Sequence, residues 1–248
     1  TAAETAVRNP ASPPPLVTAG GWTAQVAYRA LIERPDWDGP VLAEVPASLR
    51  DVVRATTAAG RELRAMSPHL PTTLPPWRIV EPAPAQELRE YYAEAQRRFG
   101  VPWSILAAVH LVESRTGRIV GLSPAGAQGP MQFMPDTWAR YGLGGDVWNT
   151  RDAILGAANF LAANGAADHT DAGLDTALQR YNNDARYVRG VRGYAALMQA
   201  DEHTFLGFHA WQVYYRTQFG DLLLPAGYES TSSIPVPQWP ARPPVTPR

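Results

Sequence analysis

Apolar residues recur at helical spacing along most of the chain. Leu88, Tyr91, Tyr92, Ala95 and Phe99 follow one another at intervals of three and four, and Gly100 stands where a helix needs a left-handed stop. Pro102 suits the first turn of a second helix, whose stripe is Ile105, Ala108, Val109 and Val112, with Glu113 at its edge. Upstream, residues 23–33 and 48–66 read as packing helices, the second with Ser48 as N-cap and Leu49, Val52, Val53, Thr56 and Leu63 near one face. Downstream, a helix opens near Thr150 and Asp152 and ends at Asn164-Gly165, and a shorter one covers 174–181. Asp184 then caps a last one with Val188, Val191, Tyr194, Ala195 and Met198 on one side. Only residues 208–224 break the period: aromatic and β-branched residues surround a Gly220-Asp221 turn signal, which predicts a small hairpin. The expected fold is mainly α.

Proline divides this pattern. Pro10 and Pro13 to Pro15 near the start, and Pro225 together with six prolines from Pro235 to Pro247 near the end, predict extended or disordered tails. A third cluster from Pro68 to Pro84 forbids a continuous helix, because proline lacks the amide donor and clashes with the preceding turn. Its Trp77, Ile79 and Val80 suit a strap packed on the surface. The expected units are a tail over 1–20, N-terminal helices and strap over 21–84, a main domain over 85–202, the hairpin over 203–228 and a Pro-rich tail over 229–248.

With 45% hydrophobic and 10% aromatic residues, the 248-residue chain has the makings of a folded core. Twenty-two Lys and Arg against 23 Asp and Glu leave no basic field for a nucleic acid. Without cysteine there is no disulfide, thiolate nucleophile or Cys-ligated zinc, and His69, His110, His169, His203 and His209 lack metal-like spacing, so neither metal nor cofactor is expected. No apolar run reaches the roughly 20 residues of a membrane helix. The opening TAAETAVRNPASPPP has no hydrophobic leader pattern, so numbering from Thr1 fits a mature or trimmed form.

Chemistry gathers between Ala107 and Gln132. A single Glu at a helix end is ordinarily solvated or ion-paired. Here it follows an apolar helix and precedes a loop with Gly121, Gly126 and Gly129, where backbone can approach a ligand closely. A carboxyl in a partly apolar cleft resists ionisation and can hold a proton near neutral pH, which makes Glu113 a candidate general acid. His110 reads as a packing residue.

Glu113-Ser114, then SPAGAQGPMQ from Ser123 to Gln132, then Tyr181-Asn182, resemble in order and interval the catalytic domain of bacterial lytic transglycosylases, lysozyme-like enzymes that cut peptidoglycan. The resemblance spans roughly residues 86–199. The flanking PPWRIV, WQVYYRT and GDLLLPAGY look like those of a secreted or envelope-attached actinobacterial subgroup. It implies a lysozyme-like domain, with Glu113 as the catalytic acid and Ser114 as the serine that follows it. Ser123 matches a cleft hydroxyl, Gly129, Met131 and Gln132 the Gly-x-Met-Gln element lining the sugar site, and Tyr181 and Asn182 the aromatic-Asn element across the cleft. Pro130 replaces a common Leu, and Arg180 a common Ala.

Cutting a β-1,4 glycosidic bond needs a proton on the leaving oxygen and stabilisation of the positive charge that develops on the ring. A second carboxylate is hard to find: Asp136 falls in a helix past the loop, and Asp146, Asp152 and Asp184 have turn or cap contexts. That favours a one-acid route assisted by the muramic N-acetyl group, and the resemblance implies closure of a 1,6-anhydro ring. Ser123, Gln132 and Asn182 are either orienting groups or ordinary loop-stabilising polar residues; Tyr181 either stacks on a sugar or fills the core, and Met131 reads as packing. A hydrolytic muramidase and a non-catalytic peptidoglycan scaffold stay open as alternatives. The expected setting is a monomer outside the cytoplasm acting on glycan strands, with envelope proteins as possible partners.

Overall fold

A computed structural model of the chain describes residues 1–238, the last of them by its backbone alone. The described residues form eleven α-helices and three two-stranded antiparallel sheets. The helices are α1 (Ala2–Arg8), α2 (Pro14–Glu33), α3 (Asp38–Glu44), α4 (Ala47–Ala65), α5 (Ala85–Phe99), α6 (Trp103–Ser114), α7 (Pro135–Tyr141), α8 (Thr150–Ala163), α9 (Asp171–Tyr181), α10 (Ala185–Ala200) and α11 (His203–His209). The strands are β1 (Thr73–Leu74), β2 (Arg78–Ile79), β3 (Ile119–Val120), β4 (Val213–Thr217), β5 (Gly220–Leu224) and β6 (Ile234–Pro235), paired β1·β6, β2·β3 and β4·β5. The fold is mainly α with a small hairpin near its C-terminal end, the architecture expected for a lysozyme-like domain with added N-terminal helices. No described helix is long and apolar enough to cross a membrane.

The anchor is α6, buried from Ser104 through Leu111. A helix apolar on every side must be enclosed, and α5, α8, α10 and α11 surround it. Gly100 ends α5 at φ 74°, its amide donating to Gln96 O at 2.8 Å. Asp184 caps α10 by accepting from the Arg186 amide at 2.8 Å, and Val188, Val191, Tyr194, Ala195 and Met198 are all buried.

The N-terminal helices belong to the same core. Ala24, Tyr28, Leu31, Val53 and Ala59 join one cluster with the residues of α6, α8 and α10. Gly190 and Gly193 let α10 approach α4 closely: a β-carbon on Gly190 would stand 2.6 Å from Leu63 Cγ, and one on Gly193 2.9 Å from Ala59 Cβ.

The extended tail expected over 1–20 is corrected. Residues 2–8 are helical, tied by an Arg8–Glu4 pair at 3.0 Å and a buried Val7, and Pro13 and Pro14 start α2 as N-cap and first residue, where the missing amide costs nothing. The α4 helix begins one residue before Ser48, behind Pro46, with no side-chain cap. The hairpin starts later than expected because Phe208 belongs to α11, and it turns at Gln218-Phe219: Thr217 Oγ1 donates to Gly220 O and accepts the Phe219 amide. Of the tail expected over 229–248, Ile234 and Pro235 pair with the strap and Val236 is buried; residues 239–248 lie outside the described residues. The strap is packed, with Leu74 and Ile79 in a second apolar cluster alongside Val213, Leu224, Tyr228 and Val236.

Candidate active site

Glu113 occupies the last turn of α6. Beyond it, Arg115, Thr116 and Gly117 take left-handed φ values of 55°, 58° and 86°, a sharp reversal in which the two non-glycine residues are strained. The surroundings enforce it. The amides of Arg115 and Thr116 donate to Leu111 O and His110 O at 3.1 Å, and the Gly117 amide donates to Ser114 Oγ at 3.0 Å. Ser114 Oγ in turn donates to Pro130 O at 2.5 Å, so one hydroxyl fastens the helix end to the loop.

The loop from Gly121 to Phe133 is closed on itself. Gln128 and Phe133 exchange both amide hydrogen bonds at 2.8 Å. Ser123 Oγ accepts from the amides of Ala125 and Ala127 at 3.2 and 3.0 Å. Gln132, at φ 51°, donates from Nε2 to Gly129 O at 2.8 Å and reaches Gly121 O at 3.5 Å. Gly129, at φ 73°, lies so close to Val147 that a β-carbon would overlap the Val147 carbonyl oxygen.

The opposite wall comes from α9 and α10. Tyr181 donates to Met131 O at 2.7 Å, packs edge-on against Phe133 and Phe160, and stacks parallel to Tyr187 at 6.3 Å. Tyr187 is buried and donates to Glu113 Oε1 at 2.7 Å. These links join three separate segments: Glu113 to Tyr187, Tyr187 to Tyr181, and Tyr181 to the carbonyl beside Gln132. Asn182 ends α9 half-buried, and among the described residues its carboxamide has no hydrogen-bond partner.

Glu113 keeps some solvent contact, but dense surroundings raise its carboxyl from the usual 4.5 to about 7. Burial is the main cause, the Tyr187 hydrogen bond pulls the other way, and no neighbouring charge contributes. Near neutral pH the group can therefore give up a proton and take one back. Burial, and then the charge of Glu113, hold the Tyr181 and Tyr187 hydroxyls well above their usual range, so both stay protonated donors. Tyr187→Phe should push Glu113 higher still. A carbon-13 NMR titration of the carboxyl is expected to show an upward shift, and a fall would contradict the hydrogen bond's assigned effect.

The expected site residues sort by position. Glu113, Tyr181 and the Met131-Gln132 backbone belong to this linked group, with Ser123 in the same loop and Asn182 following Tyr181 at the end of α9. Ser114 and Met131, matched to the family's site elements, are both fully buried: Ser114 fastens helix to loop and Met131 packs in the core, as its packing reading expected. Gly129 is enclosed as well and acts through its backbone shape. Tyr187 escaped the sequence reading, although it precedes Val191 by one turn on the stripe that α10 buries. His110 is enclosed and accepts from or donates to Tyr92 OH at 2.8 Å; burial lowers it to about 3, so it stays neutral in the core.

Other acids are engaged elsewhere. Asp184 caps α10 and pairs with Arg186, Asp146 accepts the Trp148 amide, Asp152 accepts the Asp146 amide, and Asp136 is exposed on α7. No group of three or more His, Asp or Glu that could hold a metal occurs among the described residues.

Residues 122–234 match the family model described as Transglycosylase SLT domain. The second half of this chain is thus similar to a transglycosylase SLT domain. The SLT match takes in most of the loop, Tyr181, Asn182 and Tyr187, while Glu113 stands just ahead of it. A curated relative, membrane-bound lytic murein transglycosylase F of Thiobacillus denitrificans (strain ATCC 25259 / T1), is 41% identical over 76 residues. That alignment takes in 31% of this chain and 16% of the relative, so the chain spans a small part of that protein. No solved structure matches significantly.

Proposed function

We propose that the chain is a peptidoglycan lytic transglycosylase, cutting the β-1,4 bond between N-acetylmuramic acid and N-acetylglucosamine and leaving a 1,6-anhydromuramoyl end. The observation that carries this reading is the carboxyl of Glu113, raised to about 7 and held by Tyr187, with no second acid pairing with it among the described residues. The SLT match and the lytic murein transglycosylase relative support the substrate class.

In the first step protonated Glu113 gives its proton to the leaving glycosidic oxygen as the bond breaks. The substrate's own N-acetyl group covers the anomeric carbon, in place of the second carboxylate of two-acid glycosidases. Ionised Glu113 then removes the proton from the 6-hydroxyl, whose oxygen closes the ring, and the acid form is restored. Tyr187 fixes the carboxyl through both steps. The free carboxamide of Asn182 and the exposed part of Gln132 are suited to holding the N-acetyl group and sugar hydroxyls. Ser123 contributes loop shape, with its proton still available to an acceptor.

The products decide the chemistry. Mass spectrometry of digested sacculi is expected to show muropeptides one water lighter than hydrolytic fragments; hydrated reducing ends would replace this reading with a muramidase. Undigested but bound glycan would instead point to a scaffold. The setting that follows is extracytoplasmic, at the cell envelope, with glycan strands as partner, no nucleic acid, and the chain acting as a monomer.

A further inference from the structure

We propose that Trp77, on the Pro-rich strap and outside the matched SLT segment, is a positioning residue that sets the near end of the loop from Gly121 to Gln132. The proposal rests on the glycan-cleaving reading above. The far end of that loop is tied down twice, by Ser114 to Pro130 O and by Tyr181 to Met131 O. The near end is held from the strap. Trp77 Nε1 donates to Leu122 O at 3.0 Å, and the indole fills the space over Gly121, where a β-carbon would overlap ring atom Cδ1. Next to it, Arg78 and Ile79 pair with Val120 and Ile119, and the Val80 amide donates to Arg118 O at 2.9 Å.

Trp77 is itself braced. It packs edge-on against Tyr215 of β4 at 5.4 Å, and its carbonyl accepts the Ser230 amide at 3.0 Å. The strap and hairpin thus form a rigid back on which one indole rests against the loop. What it fixes bears on the site, because Gln132 Nε2 lies 3.5 Å from Gly121 O. A shift at Gly121 moves the frame in which Gln132 is oriented. Loosening the frame of a group that holds the sugar weakens ground-state and transition-state binding alike, which raises KM and leaves kcat nearly unchanged.

The test compares Trp77→Phe, Trp77→Ala, Gly121→Ala and the double variant in the full chain, using purified sacculi as substrate. A merely structural loss lowers the active fraction, and so kcat, without moving KM. Positioning of the sugar-holding loop is expected to raise KM about tenfold in W77A and about threefold in W77F, with kcat within about twofold of the parent. The alkaline limb of the pH profile should not move, since Glu113 keeps its surroundings. G121A should match W77A alone and add nothing in the W77A background, where the clashing ring is gone. Unchanged KM in W77F and W77A, or a G121A cost independent of Trp77, overturns the proposal. Should W77A fail to fold, W77F and G121A decide it by the same criteria. Hydrogen exchange over residues 121–132 is read in parallel: faster exchange there in W77F, with α10 unaffected, is expected, and unchanged exchange counts against the anchor. Should the parent chain cut no glycan, the functional reading fails, while the exchange result still decides the anchoring.

Discussion

Glu113→Gln is expected to lower the rate of glycan cleavage by about 100- to 10,000-fold while leaving the fold intact, because a positioned proton donor contributes about that much. The amide keeps the size of the carboxyl and can still accept from Tyr187, so the loss isolates the proton. The same substitution has an opposite effect on stability. In the parent chain the folded state holds a proton on Glu113 up to about 7, whereas the usual value is 4.5. The native state therefore binds more protons across that window, and stability falls as pH rises from below 4.5 through about 7. The full shift corresponds to about 3 kcal/mol, and the solvent contact of the carboxyl reduces it, so Glu113→Gln should be more stable than the parent by about 1–2 kcal/mol at pH 8. Denaturant unfolding at pH 4 and pH 8 checks both sign and window: a gain at pH 4 that vanishes at pH 8 would reverse the assignment. Parent activity should decline above about 7 as the acid form is lost.

Gly129→Ala carries the second large effect. The position has φ 73°, which costs a non-glycine residue about 1–2 kcal/mol, and the new β-carbon would overlap Val147 O, which adds overpacking of about 1–3 kcal/mol. The expected loss is about 2–5 kcal/mol, or about 5–15 °C in Tm for a chain of this size. Gly126→Ala is the internal control, because φ is 87° there and nothing lies within 4 Å of the added carbon. It should show the backbone cost alone. Equal losses at the two positions in a thermal scan would mean that the contact with Val147 contributes nothing.

Local signals made much of this molecule legible. The stop at Gly100, the start at Pro102, the cap at Asp184 and the stripe of α10 all depend on neighbours in sequence, and each is present. What could not be read is what depends on distant neighbours. Prolines near the N-terminus suggested an extended tail, yet α1 and α2 are held by long-range partners, Arg8 to Asp201 and Gln25 to Gln212. Ser114 carried no mark distinguishing a cleft hydroxyl from a buried fastener, since that depends on the Pro130 carbonyl meeting it from the loop. Tyr187 looked like any aromatic on an apolar stripe. Only the meeting of α6 and α10 shows that its hydroxyl ends on Glu113.

The close seam between α4 and α10 bears on how this protein can be divided. Gly190 and Gly193 have no side chains to cover their own stretch of α10; Ala59 and Leu63 from α4 do it for them. The span recognisable as an SLT domain is therefore not a self-contained cassette. Lifted out alone, it would carry a bare, grooved face on the helix that presents Tyr187 to Glu113. The unit that could be moved as one piece reaches back at least to α4, well ahead of residue 122, where the SLT match begins.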